Sequence, residues 1–448
     1  MLFRSDIKIK LPILALPLIF SSTRPLSNQE LSNLLKIYLF ALLAASLWSL
    51  FFYLGWKKTS VNDVRNLSRF FSHIRFSMHI VFGIFLSLWF YGETENKIIK
   101  IAFALISIWL VFFLFILSSL TGIVLLLILL IGYSIYFFLT FKNLKLKLSI
   151  FLVLILGIAG IGIYGYQVYR DFFTPIQNQN EKLELWTSHR DLYYHESNLA
   201  RENGYFVWRY NAYEEIQASW NKKSNLNFDG VDKNGNPLRF TLIRYMTSKG
   251  LRKDEDDFSK LSNEDIRNIE NGITNYKLAK ASPIKQRIYE ATWEMNDFIE
   301  NKSMRDHSMI VRLEYWKTAI RIIKENWLIG VGTGDVQLEF NRMYERNNSV
   351  LKTKVDRKRA HNQFLETLVS HGIIGFISLF LVLIVPFFYK KRLHVLFFPV
   401  YIISILSFFT EDTLETQAGV TLFAFFSALF LLQVNPQKYT NKLFLGRN

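Results

Sequence analysis

Long apolar runs alternate with short charged connections over the first 170 positions, give way to about 200 polar residues, and return after residue 372. Residues 37–56, 76–91 and 148–169 contain no Asp, Glu, Lys or Arg, and each approaches the ~20 residues with which an α-helix crosses ~30 Å of hydrocarbon. Each predicts one membrane helix. Residues 101–141 are equally uncharged, run to about twice that length, and are interrupted by Ser118-Ser119-Leu120-Thr121-Gly122, which predicts a helical hairpin. Residues 373–389, 393–409 and 418–434 add three runs of about 17 residues, near the lower limit for crossing. The pattern predicts an all-α polytopic membrane protein of about eight spans, with a large, mainly helical domain inserted between them.

The first twenty residues imitate a secretory signal peptide, with Arg4, Lys8 and Lys10 ahead of an apolar stretch. That stretch holds two prolines and runs into Ser-Ser-Thr-Arg-Pro where a small-residue cleavage site belongs. Residues 1–33 are therefore expected to stay as a re-entrant or remnant segment. Residues 34–170 would form a first membrane block of five helices, 171–372 the inserted domain, 373–434 a second block of three helices, and 435–448 a tail.

Basic residues in short connections mark the cytoplasmic side. Lys142, Lys145 and Lys147, then Lys390, Lys391 and Arg392, and the tail residues Lys438, Lys442 and Arg447 serve as anchors. Counting spans between them puts the inserted domain and the Glu411–Glu415 loop outside. The segment Trp56–Arg75 breaks the rule, because it falls outside yet carries Lys57, Lys58, Arg65, Arg69 and Arg75 against Asp63. It reads either as an upstream miscount or headgroup contact, or as a basic loop that helps hold an anionic lipid-linked substrate. The net charge of +16 partly reflects the anchors and does not imply nucleic acid. The absence of cysteine suits an oxidising exterior.

Within the inserted domain, apolar positions from Arg312 to Ile323 recur at helical spacing and share a face with Arg312; this helix should end near Gly330. Ser262 with Asp265 reads as a helix N-cap. Tyr205–Tyr210 and Arg239–Met246 alternate enough to predict short strands or extended pieces. Gly330-Val-Gly332-Thr-Gly334-Asp335 lacks the spacing of a phosphate loop and of a dinucleotide fingerprint, and reads as a helix-terminating turn. The acidic run Asp254–Asp257 lies between Lys253 and Lys260 and reads as a solvated turn, not a metal site. His361 shares a helical face with Phe364, Leu365 and Leu368 just before the sixth span, either as a packing residue or as a proton acceptor near neutral pH. Arg312, Arg342 and Arg359 lie in the same stretch, and guanidinium is the best fixed partner for phosphate oxygens.

The succession Arg312-Leu-Glu-Tyr-Trp, Gly330-Val-Gly-Thr-Gly-Asp335 and Arg359-Ala-His361-Asn-Gln-Phe-Leu, followed by a span, resembles the O-antigen ligase and polymerase superfamily. The likeness extends to the Ser118–Gly122 hairpin and to Glu411-Asp-Thr-Leu-Glu415. The stretch from Arg244 to Asp254 looks like an insert of members from the Bacteroidetes. The resemblance implies a bacterial inner-membrane enzyme, with its large loop in the periplasm among membrane lipids, that transfers a glycan from an undecaprenyl-pyrophosphate carrier to an acceptor hydroxyl. The acceptor would be lipid A-core, another glycan or a protein. The resemblance also makes His361 and Arg312 the functional residues of the large loop. On this reading His361 and Arg312 are expected to be catalytic, Arg359, Arg342, Arg75, Asn362, Glu411 and Glu415 to contact substrate, and no metal or cofactor is expected. Two departures stand out. Leu120 occupies a hairpin position where relatives often carry arginine, so one cationic contact is expected to be missing or replaced by Arg75, and the usual helix count is nearer a dozen, so several helices are expected to be missing from the start. The rival readings are an O-antigen or exopolysaccharide polymerase, a protein O-glycosyltransferase, and a transporter or non-catalytic polysaccharide-export component.

Overall fold

The computed structural model describes residues 2–54, 68, 72–140, 143–196, 199–301, 311–349, 351, 353, 356–389 and 393–434. Most of the basic loop at 56–71, Lys142, Lys390–Arg392 and the tail 435–448 lie outside the described residues. The fold is all-α and polytopic. Among the described residues, six helices are long and apolar enough to span a bilayer: α2 (Asn28–Tyr53), α3 (His73–Glu93), α4 (Lys97–Ile116), α5 (Leu120–Thr140), α6 (Leu144–Phe173) and α14 (Gln363–Tyr389). Two further apolar helices, α15 (Phe397–Thr410) and α16 (Gln417–Ala428), are shorter. Helix α1 (Leu2–Ser22) precedes them, α7–α11 (Tyr213–Lys223, Leu238–Ser248, Glu255–Ser259, Asn263–Glu270 and Pro283–Asn301) form the polar region, and α12 (Val311–Glu325) and α13 (Val336–Arg346) lead back to the membrane helices. The chain divides into two compact units, one made of residues 1–59, 65–154 and 311–448, the other of 60–64 and 155–310. Residues 311–372 thus count with the membrane helices.

In the first unit α3 is buried on nearly all sides, from Phe76 to Phe90, and packs on α2, α4, α5, α15 and α16. Its polar side chains find partners, as burial requires. His79 bonds the Tyr38 hydroxyl at 2.8 Å, and Ser77 accepts from Ser119 at 2.9 Å. Ser119 belongs to the predicted hairpin turn, so this turn abuts α3 two residues from Arg75.

Helix α14 breaks at Gly372, whose φ of 61° and ψ of −160° belong to a region that is essentially closed to other residues. The break frees the carbonyls of Val369 and Ser370 and the amide of Ile373. The glycine turn after α12 takes up all three. Val331 and Gly332 donate to those carbonyls at 2.9 Å each, and Ile373 donates to the Trp327 carbonyl at 2.8 Å. The turn read from sequence as a helix terminator is therefore also a splice that welds α12 and α13 to the head of α14.

The second unit has its own core, in which Trp220, Leu242, Met246 and Ile269 are buried. Arg239–Met246 is not a strand but part of α8. Leu238, Leu242, Tyr245 and Met246 are all buried, and their spacing puts them on one helical face. The other predicted strand survives only as the two-residue pairing of Arg201–Glu202 with Tyr205–Phe206. Ser262 and Asp265 form the expected capping box of α10. The acidic run is spent on local bonds: Asp254 caps α9, accepting from the Asp257 amide at 2.8 Å, while Asp257 accepts from the Arg252 amide at 2.6 Å and from Lys260.

Candidate functional site

Everything that follows lies in the first unit. His361 lies two residues before the start of α14 and is pinned from both sides. The indole of Trp316 on α12 donates to the carbonyl of Ala360 at 3.0 Å. Asn362 caps α14 by accepting from the Leu365 amide at 3.0 Å, and its amide group donates to the Phe409 carbonyl at 3.1 Å. Between these anchors His361 adopts φ 45°, a left-handed conformation uncommon outside glycine. Its ring packs against Tyr315 with centroids 5.8 Å apart.

The imidazole faces the corner between α15 and α16. Nδ1 is buried with no hydrogen-bond partner among the described residues, 3.8 Å from Asp412 Oδ1 and 4.0 Å from Glu411 Oε2. Two arginines hold those carboxylates. Arg312 on α12 donates to the Thr410 carbonyl at 2.6 Å and to Glu411 at 2.9 Å. Arg75, in the first turn of α3, reaches Asp412 at 3.3 Å and Glu411 at 3.7 Å, and its Nη1 is held by the capping Ser72 at 3.0 Å. Two carboxylates and two guanidiniums balance, which leaves His361 as the one group whose charge can change without breaking the set. Burial lowers its pKa below the ordinary histidine value, against the pull of Asp412 and Glu411 in the other direction.

A second charged group adjoins the same corner. Arg359 donates to the fully buried Glu366 at 3.2 Å and stands 3.9 Å from both Glu415 and Asp6 of α1. Glu415 also takes Lys10 of α1 at 2.8 Å and Gln363 at 3.4 Å. A groove of about 570 Å³ opens here, with Lys10, Glu415 and His371 among its polar lining and Ile374, Leu379 and Val382 along its apolar wall.

Of the residues singled out from sequence, the fold thus assembles His361, Arg312, Arg75 and Glu411 into one cluster, and Arg359 and Glu415 into its neighbour. Asn362 works as a helix cap. Arg342 joins neither cluster: it stands on the exposed side of α13, paired with Glu339 at 3.6 Å. Sequence reasoning missed Asp412, Glu366, Asp6 and Lys10. Asp412 was adjacent to a chosen residue and carried a signal. A carboxylate inside the apolar run of α14 was the available signal for Glu366, because such a group needs a partner.

His361, Glu411 and Asp412 each offer a ligand atom within 4.8 Å of the others. The donor set nevertheless fits a metal poorly, since both carboxylates already face guanidinium groups and a divalent cation would have to displace them.

Comparison with known proteins bears on this region. Residues 272–380 match the family model described as O-antigen ligase, a stretch that includes Arg312, Arg359 and His361. The chain is also 31% identical over 118 residues to an uncharacterized protein of Haemophilus influenzae. That alignment covers 26% of this chain and 29% of the relative's length.

Proposed function

We propose that this chain, whose residues 272–380 match the O-antigen ligase family model, is a membrane glycosyltransferase of the ligase type. It moves a glycan from undecaprenyl pyrophosphate to an acceptor hydroxyl, on lipid A-core or a similar molecule, at the periplasmic face of the bacterial inner membrane. One observation carries the reading: a partly buried histidine sits beside two carboxylates that are themselves paired with two arginines.

The acceptor oxygen attacks the anomeric carbon, the bond from that carbon to the pyrophosphate oxygen breaks, and the acceptor proton must leave. With Nδ1 turned toward Asp412 and Glu411, the carboxylates favour the tautomer protonated there and leave Nε2 with the lone pair that accepts the proton. The imidazolium so formed is stabilised by the same carboxylates. Arg312 and Arg75 present further N–H groups to the departing pyrophosphate, and fixed cations of this kind need no reorganisation as charge develops. The groove beside α14 offers an apolar wall for the carrier's hydrocarbon chain.

The surface glycans of a deletion strain test the assignment. Full-length lipid-linked chains that are never joined to an acceptor support ligation, single-repeat caps support polymerisation instead, and an unchanged glycan profile removes both.

A further inference from the structure

We propose that Lys10 of α1 is a positioning residue of the His361 site, acting through Glu415. The inference rests on the reading of His361 as the proton acceptor.

Glu415 closes the short turn Thr413–Glu415, and its amide bonds the Asp412 carbonyl at 3.1 Å. The two residues that face His361, Glu411 and Asp412, are therefore carried by the same tight turn. Lys10 at 2.8 Å and Gln363 at 3.4 Å hold the Glu415 carboxylate, and Arg359 stands 3.9 Å from it. Lys10 is the nearest, and it comes from a helix that is firmly seated. Ile9, Ile13 and Leu16 pack against the cluster that holds Leu414, Val420 and Phe423. Gln433, after α16, donates to the Phe20 carbonyl at 2.5 Å and to Thr23 at 3.0 Å. Asp6, one helical turn before Lys10, stands 3.9 Å from Arg359, two residues from His361. Helix α1 thus presents one charge of each sign to this second charged group, Asp6 to Arg359 and Lys10 to Glu415.

What remains once Lys10 is gone shows why it matters. Among the described residues Glu415 then keeps Gln363 and Arg359. Arg359 already donates to Glu366 and faces Asp6. Glu415 then turns toward Arg359, the turn shifts, and Asp412 and Glu411 move relative to the imidazole. Both carboxylates oppose the effect of burial on His361, so their retreat lets its pKa fall further.

The experiment is a ¹⁵N-histidine titration of the full-length protein in detergent, with His361 assigned by the His361→Gln variant, run beside the pH profile of glycan transfer. Lys10→Met is expected to lower the apparent pKa of His361 by about half a unit or more and to move the acid limb of transfer with it. Lys10→Glu alone should cut transfer about tenfold or more, and Lys10→Glu with Glu415→Lys should restore both readouts. A Lys10→Met protein that is less stable but keeps the wild-type pKa and acid limb would overturn the proposal, as would a charge swap that restores nothing while Lys10→Arg stays active. If the wild type transfers no glycan, the functional reading falls, and the titration still decides the role of Lys10.

Discussion

Arg75 and Asp412 are 337 positions apart in the chain and meet at 3.3 Å. The first belongs to the opening turn of a buried helix in the first membrane block, the second to the corner between two short helices of the last block. Their pairing closes the charged ring around His361 from the side opposite α12, where Arg312 holds Glu411. His361 is thus surrounded by parts of the chain that only the packed membrane helices bring together.

The pH dependence of transfer should report this environment. Burial holds the pKa of His361 below the ordinary value of ~6.5, so the neutral, proton-accepting form persists to more acid solution. Transfer should therefore hold constant as pH falls through 6.5 and decline only below it. Asp412 is the strongest of the groups that raise this pKa. Asp412→Asn should move the acid limb to still lower pH, while reducing the rate by weakening the hold on Arg75. A pH–rate profile with purified lipid-linked donor checks both, and an acid limb above 6.5 in the wild type would remove His361 from the mechanism.

Charge type matters at position 312. The Arg312 guanidinium bridges a backbone carbonyl and a carboxylate through two different nitrogens, at 2.6 and 2.9 Å. A lysine ammonium is a single point and cannot span both while presenting further donors to pyrophosphate. Arg312→Lys should insert and fold normally yet lose about tenfold or more in transfer. Activity equal to the wild type would reduce Arg312 to general electrostatics.

What was legible in the sequence followed from physics that is local in the chain. Apolar runs without charge could only be membrane helices, and Ser262 with Asp265 could be read as a cap because capping acts within four residues. His361, Arg312 and Glu411 were found one by one as ionisable groups close to apolar runs. Their assembly was not legible, because ligand-like geometry here joins residues about fifty positions apart, as His361 and Asp412 are. The basic residue Lys10 looked like the charged start of a signal peptide, since nothing local reveals that Glu415 receives it. The Arg239–Met246 strand failed for a related reason: over so few residues partial alternation mimics a strand, and only burial of Leu238, Leu242, Tyr245 and Met246 identifies the helical face.

The welded break in α14 makes a stability prediction. A Cβ on Gly372 would lie 2.3 Å from the Leu328 carbonyl oxygen, and one on Gly330 2.5 Å from the His371 amide nitrogen. Both obstacles are backbone, and both glycines have positive φ. Either alanine substitution should cost about 3 kcal/mol from strain and overpacking, measured by thermal unfolding in detergent. Gly160→Ala in α6, where a Cβ meets nothing within 4 Å, should leave stability unchanged to within about 1 kcal/mol.

Transfer should need no divalent metal. A pyrophosphate leaving group must be neutralised either by a metal held on carboxylates or by fixed cations. His361, Glu411 and Asp412 come close enough together to bind an ion, but Arg312 and Arg75 already lie against those carboxylates at 2.9 and 3.3 Å. An ion entering there would have to expel two guanidiniums into a largely buried corner, and the arginines it displaced are the cations best suited to phosphate. The acidic run Asp254–Asp257 is committed to capping α9 and to Lys260, so it offers no alternative. Transfer from purified lipid-linked donor should accordingly survive excess EDTA, and Asp254→Asn with Asp256→Asn should remain active. Activity that is lost with EDTA and returns with magnesium or manganese would reverse the assignment of roles. It would turn Glu411 and Asp412 from partners of arginine into metal ligands, with His361 as the third.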